Sequence, residues 1–386
     1  MSSTRSGIRR SVIGLAALSL IVAACAYYGH FADDAADSAS ATEAAEDDAS
    51  GTEPETAEDE TTDSEPESTE STSDSSDVGS TEYPLEFTDA CGNDLVFDGP
   101  PERVHTSSES DTQVLLALGL GDRIEAVWWD FNTGIREDLQ SDWDALELFS
   151  PSDDFFFPSK EVVLADNPDL IIGGAAFKFD EAEGSPSIAD IESIGAQVYS
   201  RAADCLNQVD LSIEEQFDFA RELGLIFDAQ QEAADYIAGI RSDIDDVTAA
   251  VADAEPKTAM LYDSGEDPIF TPATAAVAEI FELAGGELVF DEFFDAYAEP
   301  MSREVIAATD PEAVLAYIYQ PEQGVTPLDE RRDFLFGVME NSIAAQQGDF
   351  CGVLPRAAGV FLPDYIRDTA ACLHPDLVES ADIERP

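Results

Sequence analysis

The hydrophobic pattern divides the chain into three stretches. An apolar run, residues 12–24, follows Arg5, Arg9 and Arg10. Residues 32–82 are Asp, Glu, Ser, Thr and Ala with almost no bulky apolar side chain. From Tyr83 onward, short apolar runs alternate with amphipathic ones. Two alternating runs flank Cys91-Gly92-Asn93-Asp94, a pattern that predicts a β-hairpin. A short strand is expected at Val104-His105. The polar loop 106–111 then leads into a helical run, 112–118, which Gly119 should stop. Residues 123–129 read as the next strand. Strand, loop, helix, strand is the rhythm of α/β structure with parallel strands.

The pattern repeats. Ser159-Lys160-Glu161-Val162-Val163 leads through Asn167-Pro168-Asp169 into Leu170-Ile171-Ile172. Ser302-Arg303-Glu304-Val305-Ile306 leads through Asp310-Pro311-Glu312 into Ala313-Val314-Leu315. Each copy has a serine suited to cap a helix, a base, a glutamate, a short apolar helix, a proline that turns helix into strand, and a buried strand. A second pair supports the first: Leu115-Leu116-Ala117-Leu118-Gly119-Leu120-Gly121 matches Ile280-Phe281-Glu282-Leu283-Ala284-Gly285-Gly286. Each member lies upstream of its partner motif, so two similar α/β lobes in tandem are expected. Between them, residues 211–254 carry Ile237, Ile240, Ile244 and Val247 at helical spacing and contain no proline. A long connecting helix is expected there.

Charge changes the picture at the amino-terminal end. The chain has 18 Lys+Arg against 83 Asp+Glu, a formal net charge of −65. Such a field argues against nucleic acid and anionic membrane surfaces as partners. No Lys or Arg occurs between Arg10 and Arg103. The acidic stretch cannot bury enough apolar surface to offset chain entropy, and it reads as a disordered tether. Roughly 50 such residues reach on the order of 40 Å. The apolar run before it is short for a membrane span and ends in Val22-Ala23-Ala24-Cys25, a lipobox whose cysteine takes a lipid. Residues 1–25 are therefore expected to be a lipoprotein signal peptide, with Cys25 anchored to the outer face of the cell membrane. The expected layout continues with a tether at 26–82, a first lobe at 83–210, a connecting region at 211–254 and a second lobe at 255–386.

From Tyr83 on, the chain resembles the helical-backbone periplasmic binding proteins of ABC importers, the family that captures ferric siderophores, haem or cobalamin. The resemblance rests on Asp89-Ala90-Cys91-Gly92-Asn93, Pro100-Pro101-Glu102-Arg103-Val104 and Leu116-Ala117-Leu118-Gly119-Leu120-Gly121-Asp122-Arg123-Ile124. Later landmarks are Asn167-Pro168-Asp169-Leu170, Leu283-Ala284-Gly285-Gly286 and Leu373-His374-Pro375-Asp376. It implies two Rossmann-like lobes joined by a helix, with a ligand held in the cleft between them. It implies a permease dimer with its ATPase as partner and a monomeric receptor; with no Gly-x-Ser-x-Gly elbow, phosphate loop or nucleophile beside an obvious base in the sequence, no catalysis is expected, and an enzyme or a non-transport surface protein is the less favoured alternative. It also implies that Glu161 and Glu304, one per lobe, dock onto permease arginines. The acidity and the cysteines depart from the common pattern. Four cysteines in the folded part allow three pairings. Cys91–Cys205 and Cys351–Cys372 are expected, since each keeps its bridge within one lobe.

Cleft residues should lie on loops after strands. Trp128, Trp129 and Phe131 follow a strand, and the tryptophans are suited to stack on a catecholate, a porphyrin or a corrin. Phe155-Phe156-Phe157 stands before the first repeat and is placed to line the same mouth or to wedge beneath the loop. Lys178, Arg201 and Arg356 are conspicuous in so acidic a chain and suit an anionic chelate, or else local salt bridges. Tyr262 and Tyr319 end strands of the second lobe. Three histidines are too few for a bare zinc or manganese site. No resident metal or cofactor is expected, and the ligand is expected to be a ferric siderophore carrying chelated Fe3+, with haem and cobalamin as alternatives.

Overall fold

The computed structural model describes residues 79–128, 134–146, 158–179, 181–205, 211–290, 298–319, 326–356 and 358–386. The signal segment, Cys25, the acidic tether, Trp129, Phe131 and residues 155–157 lie outside the described residues.

The strands are β1 (Leu85–Thr88), β2 (Asp94–Phe97), β3 (Val104–Thr106), β4 (Ile124–Val127), β5 (Leu170–Ile172), β6 (Gln197–Tyr199), β7 (Lys257–Tyr262), β8 (Ile269–Pro272), β9 (Gly286–Leu288), β10 (Ala298–Met301), β11 (Ala313–Tyr317) and β12 (Phe350–Val353). The helices used below are α1 (Glu109–Ala117), α2 (Lys160–Asp166), α3 (Ile188–Ser193), α4 (Glu214–Phe227), α5 (Gln230–Val251), α6 (Ala275–Leu283), α7 (Arg303–Ala307), α8 (Leu328–Val338) and α9 (Leu362–Leu373).

β1 and β2 form the expected hairpin. The Asp89 carboxylate ties its turn by accepting from the Cys91 and Asn93 amides, and it also accepts from the Ser200 amide. Two four-stranded parallel sheets follow. The first runs β4-β3-β5-β6 and the second β9-β7-β11-β12, so the two halves share one strand order. The sequence repeat is thus a repeat of topology. β8 and β10 add a separate antiparallel ladder.

Period-two alternation explains how each sheet packs. In β5, Leu170 and Ile172 enter a large central core, while Ile171 joins a smaller cluster with Trp128 and Ile191. In β11, Ala313, Leu315 and Tyr317 enter the central core, while Val314 and Ala316 join a second small cluster with Ile306 and Leu335. The central core is continuous. It takes in Phe217 and Leu223 of α4, Ile237 and Ile240 of α5, and Tyr365 and Ile366 of α9.

The connecting region departs from the expected single helix. α4 ends at Asp228, whose left-handed φ of 55° breaks the rise, and α5 starts afresh and runs for 22 residues. The pair folds back on itself: Arg241 lies 4.4 Å over the Phe217 ring and bonds Glu214. Gly224 permits the close approach, since a Cβ there would meet that of Ala233 at 2.8 Å. The capping expectation also needs one correction. Ser302 accepts from the Val305 amide, but Ser159 makes no side-chain cap bond. Two disulfides, Cys91–Cys205 and Cys351–Cys372, are present. Among the described residues no helix is long and apolar enough to cross a membrane.

Candidate functional site

Parallel strands deliver their loops to one edge, and side chains with binding chemistry collect there. At the carboxyl edge of the first sheet, the glycine pair after β5 sets the geometry. Gly173 has φ +98°, and a Cβ on it would sit 2.0 Å from Ser107 Oγ. That absence lets Ser107 Oγ donate to the Gly173 carbonyl at 2.8 Å and accept from Lys178 Nζ at 2.6 Å. Lys178 is buried, with Asp204 Oδ1 at 3.9 Å. Burial pushes its ammonium down from the ordinary lysine range, against the pull of Asp204 and Asp111.

Arg201, after β6, lies in the same network. Its Nε is 3.5 Å from Asp111 Oδ1 and its guanidinium 5.3 Å from the Phe219 ring. Burial disfavours the cation, but Asp111, Glu215 and Asp204 outweigh it and hold the guanidinium firmly charged. Burial raises Asp204 and Glu215, opposed by Lys178 and Arg201 respectively. A pocket of about 390 Å³ opens beside Arg201, walled by Glu214, Glu215, Asp218 and Glu222 of α4. Lys178 and Arg201 thus share a buried ion network with Asp111 and Asp204.

At the carboxyl edge of the second sheet, Tyr262 donates to the Gly265 carbonyl at 2.9 Å. Burial pushes its phenol up to about 12, partly offset by Arg331. The Tyr319 hydroxyl donates to the Asp263 carboxylate. Tyr319 meets Tyr317 edge-on at 6.3 Å, and Tyr317 meets Tyr365 at 6.4 Å. Among them stands Arg331 of α8, which sequence reasoning missed. It donates to the Tyr317 carbonyl at 2.8 Å and lies 5.8 Å from the Tyr262 ring. Burial pulls its guanidinium below the usual arginine range. Its Nε is buried and has no hydrogen-bond partner among the described residues. The one available signal was Arg331-Arg332 in a chain poor in bases.

The edges of the two sheets are joined by the loop after β12. The Gly359 amide donates to Gln216 of α4, Arg136 Nη1 reaches the Val360 carbonyl at 3.5 Å, and Gly359 packs against Ser110 of α1.

Two expected ligand residues are committed elsewhere. Trp128 is 0% exposed and donates its indole N–H to His105 Nδ1 at 3.0 Å, so its ring serves the core. Arg356 is held by Asp382 at 2.9 Å and Asp368 at 3.3 Å, because the buried Asp368 carboxylate requires a counter-charge. Among the described residues neither of the two histidines is arranged as a ligand: His105 Nε2 bonds Asp166 and His374 Nε2 bonds the Gly285 carbonyl at 2.7 Å. Among the described residues no group of three or more His, Cys, Asp or Glu could hold a metal ion. Glu161 and Glu304 both lie exposed in the first turns of α2 and α7.

The doubled sheet order is the architecture of a binding-protein fold, and the chain belongs to the periplasmic binding protein family, whose model matches residues 106–347. It is a binding protein and not an enzyme. A vitamin B12-binding protein of Vibrio campbellii is 25% identical over 241 residues, 60% of this chain and 75% of the relative. A periplasmic binding protein from Veillonella parvula matches with a TM-score of 0.65 at 20% identity, covering 73% of this chain and 94% of that one. A protein of the ABC-type Fe3+-hydroxamate transport system of Saccharomonospora viridis matches with a TM-score of 0.60 at 19% identity, covering 76% and 100%.

Proposed function

We propose that the chain is the substrate-binding lipoprotein of an ABC importer that captures a ferric siderophore and delivers it to a permease dimer driven by its ATPase. The observation that carries this reading is the family match over residues 106–347, and at the second sheet's edge the half-buried Tyr319 near Arg331, whose Nε has no hydrogen-bond partner among the described residues, supports it. Aromatic faces suit the planar groups of an iron chelate, and a guanidinium suits its negative charge. The ligand would lie between the carboxyl edges of the two sheets, with lobes at 83–210 and 255–386 flanking the helical region 211–254. Cys25 would hold the protein at the outer face of the membrane, and residues 26–82 would tether it. Glu161 and Glu304 would meet permease cations, one from each half.

Cobalamin is the second reading, favoured by the relatives named for vitamin B12 binding. Uptake separates the two. Cells lacking this chain should lose uptake of a radioiron-labelled ferric siderophore, regain it with the intact gene, and keep cobalamin uptake. Loss of cobalamin uptake alone would reverse the assignment.

A further inference from the structure

We infer that each half carries a two-part docking tip, a free glutamate beside a spare valine, built to enter a permease socket that pairs a cation with an apolar recess. The inference rests on the proposed role in ABC import and concerns the surface that meets the permease.

The tips are matched residue for residue. Val162 and Val305 follow Glu161 and Glu304, and their exposures are 44% and 45%. Large apolar side chains that lie this open are few among the described residues, the others being Val96, Ile188 and Leu377. Two of the five thus occupy equivalent places in the repeat. Packing of the helices does not require them, because the next residue in each copy, Val163 or Ile306, is fully buried and supplies the core contact. Each motif therefore turns one β-branched side chain inward and leaves one out.

The bases of the two motifs are withheld. Lys160 is held by Asp190 at 2.6 Å and Glu181 at 3.5 Å. Arg303 donates to the Glu266 carbonyl at 2.9 Å, lies 3.8 Å from its carboxylate and stacks 5.0 Å from the Phe334 ring. Each base is thus engaged within its own half. Glu161 and Glu304 have no ion-pair partner among the described residues. What remains at each tip is one negative charge and one apolar side chain. The complementary surface is one positive charge beside an apolar recess, present twice.

The combination has a physical reason. An exposed ion pair contributes little because solvent screens it. A valine seated beside it excludes that solvent and adds hydrophobic free energy, as apolar rims do around charged hot spots. A pair of such tips, one from each half of a doubled fold, suits a partner with two-fold symmetry.

The test measures association of the full-length protein with the permease–ATPase complex in nanodiscs. It compares wild type with Val162→Ser/Val305→Ser, Glu161→Gln/Glu304→Gln and Lys160→Met/Arg303→Met. The valine pair should weaken binding by about tenfold or more, mostly through faster dissociation. Melting temperature and affinity for a ferric siderophore should not change. The base pair should cost less than about threefold. If the valine pair binds within about twofold of wild type while the glutamate pair loses binding, the valine inference fails and the docking role of the glutamates stands. If wild type does not bind, or the glutamate pair binds as wild type does, the import reading fails and this inference falls with it. Light scattering on the same samples closes the alternative: a wild-type dimer that becomes monomeric in the valine variant would make these tips a self-association surface and overturn the inference.

Discussion

At the residue scale, hydrogen-bond chemistry fixes a charge state. Trp128 can only donate, so His105 Nδ1 must accept, and His105 Nε2 carries the proton that meets Asp166. Burial lowers the pKa of His105 below 6.5, although Asp166 and Glu125 pull it up and Arg103 reinforces the lowering. A depressed folded pKa contributes stability above the unfolded value, and that stability is lost as pH falls from about 6.5 through the folded value. Asp204 and Glu215, raised by burial, act oppositely: their contribution is present at low pH and is lost as pH rises through their folded values. Comparison with His105→Gln isolates the histidine. Between pH 7.5 and pH 5 the wild-type melting temperature should fall relative to the variant. Parallel curves would show that the ring does not titrate differently on unfolding. Gly173→Ala is a second test. Its Cβ would strike Ser107 Oγ in a left-handed conformation, and the substitution should cost about 2 kcal/mol or more by denaturant unfolding. An unchanged midpoint would mean that the Ser107–Lys178 arrangement is not rigid.

Among the elements, the two disulfides differ in access. Cys351 and Cys372 are buried and join β12 to α9, whereas Cys91 is exposed in the β1–β2 turn. Mild reductant without denaturant should open Cys91–Cys205 first, as read by differential alkylation and mass spectrometry. Loss of Cys351–Cys372 should cost about 2–4 kcal/mol. Simultaneous reduction of both would contradict this ordering. The elements that could be read from the chain are those whose signals are local. The β1–β2 hairpin, the proline that ends each short helix, and the glycines after α1 and α6 all announce themselves within a few residues. Gly119 and Gly285 take φ +73° and +78°. The break between α4 and α5 was hidden because an aspartate, without a glycine or proline, supplies the left-handed turn. Partners remote in sequence were equally hidden. Nothing near Arg356 reveals Asp382, and nothing in the charged run 329–333 reveals that Arg331 turns inward under Tyr262.

On the scale of the whole molecule, two parallel sheets of one strand order share a continuous core through α4, α5 and α9, and their carboxyl edges are linked through the loop at Gly359. The chain as a whole carries a formal net charge of −65, opposite in sign to the buried arginine that the proposed ligand would seek. Capture of an anionic chelate should therefore quicken with salt, because screening shortens the repulsion that slows encounter. Stopped-flow rates that fall with rising salt would mean that a local positive field dominates the approach. The central claim is that this chain receives a ferric siderophore on the aromatic edge around Arg331, and equilibrium titration of the purified protein tests it most directly. Ferric siderophores, haem and cyanocobalamin are titrated in parallel, with Arg331→Met alongside. The account predicts saturable binding of a ferric siderophore that weakens about tenfold or more in Arg331→Met, with melting temperatures showing that the variant folds. Tight binding of cyanocobalamin or haem with no ferric siderophore bound, or a ferric siderophore held equally well by Arg331→Met, would contradict it.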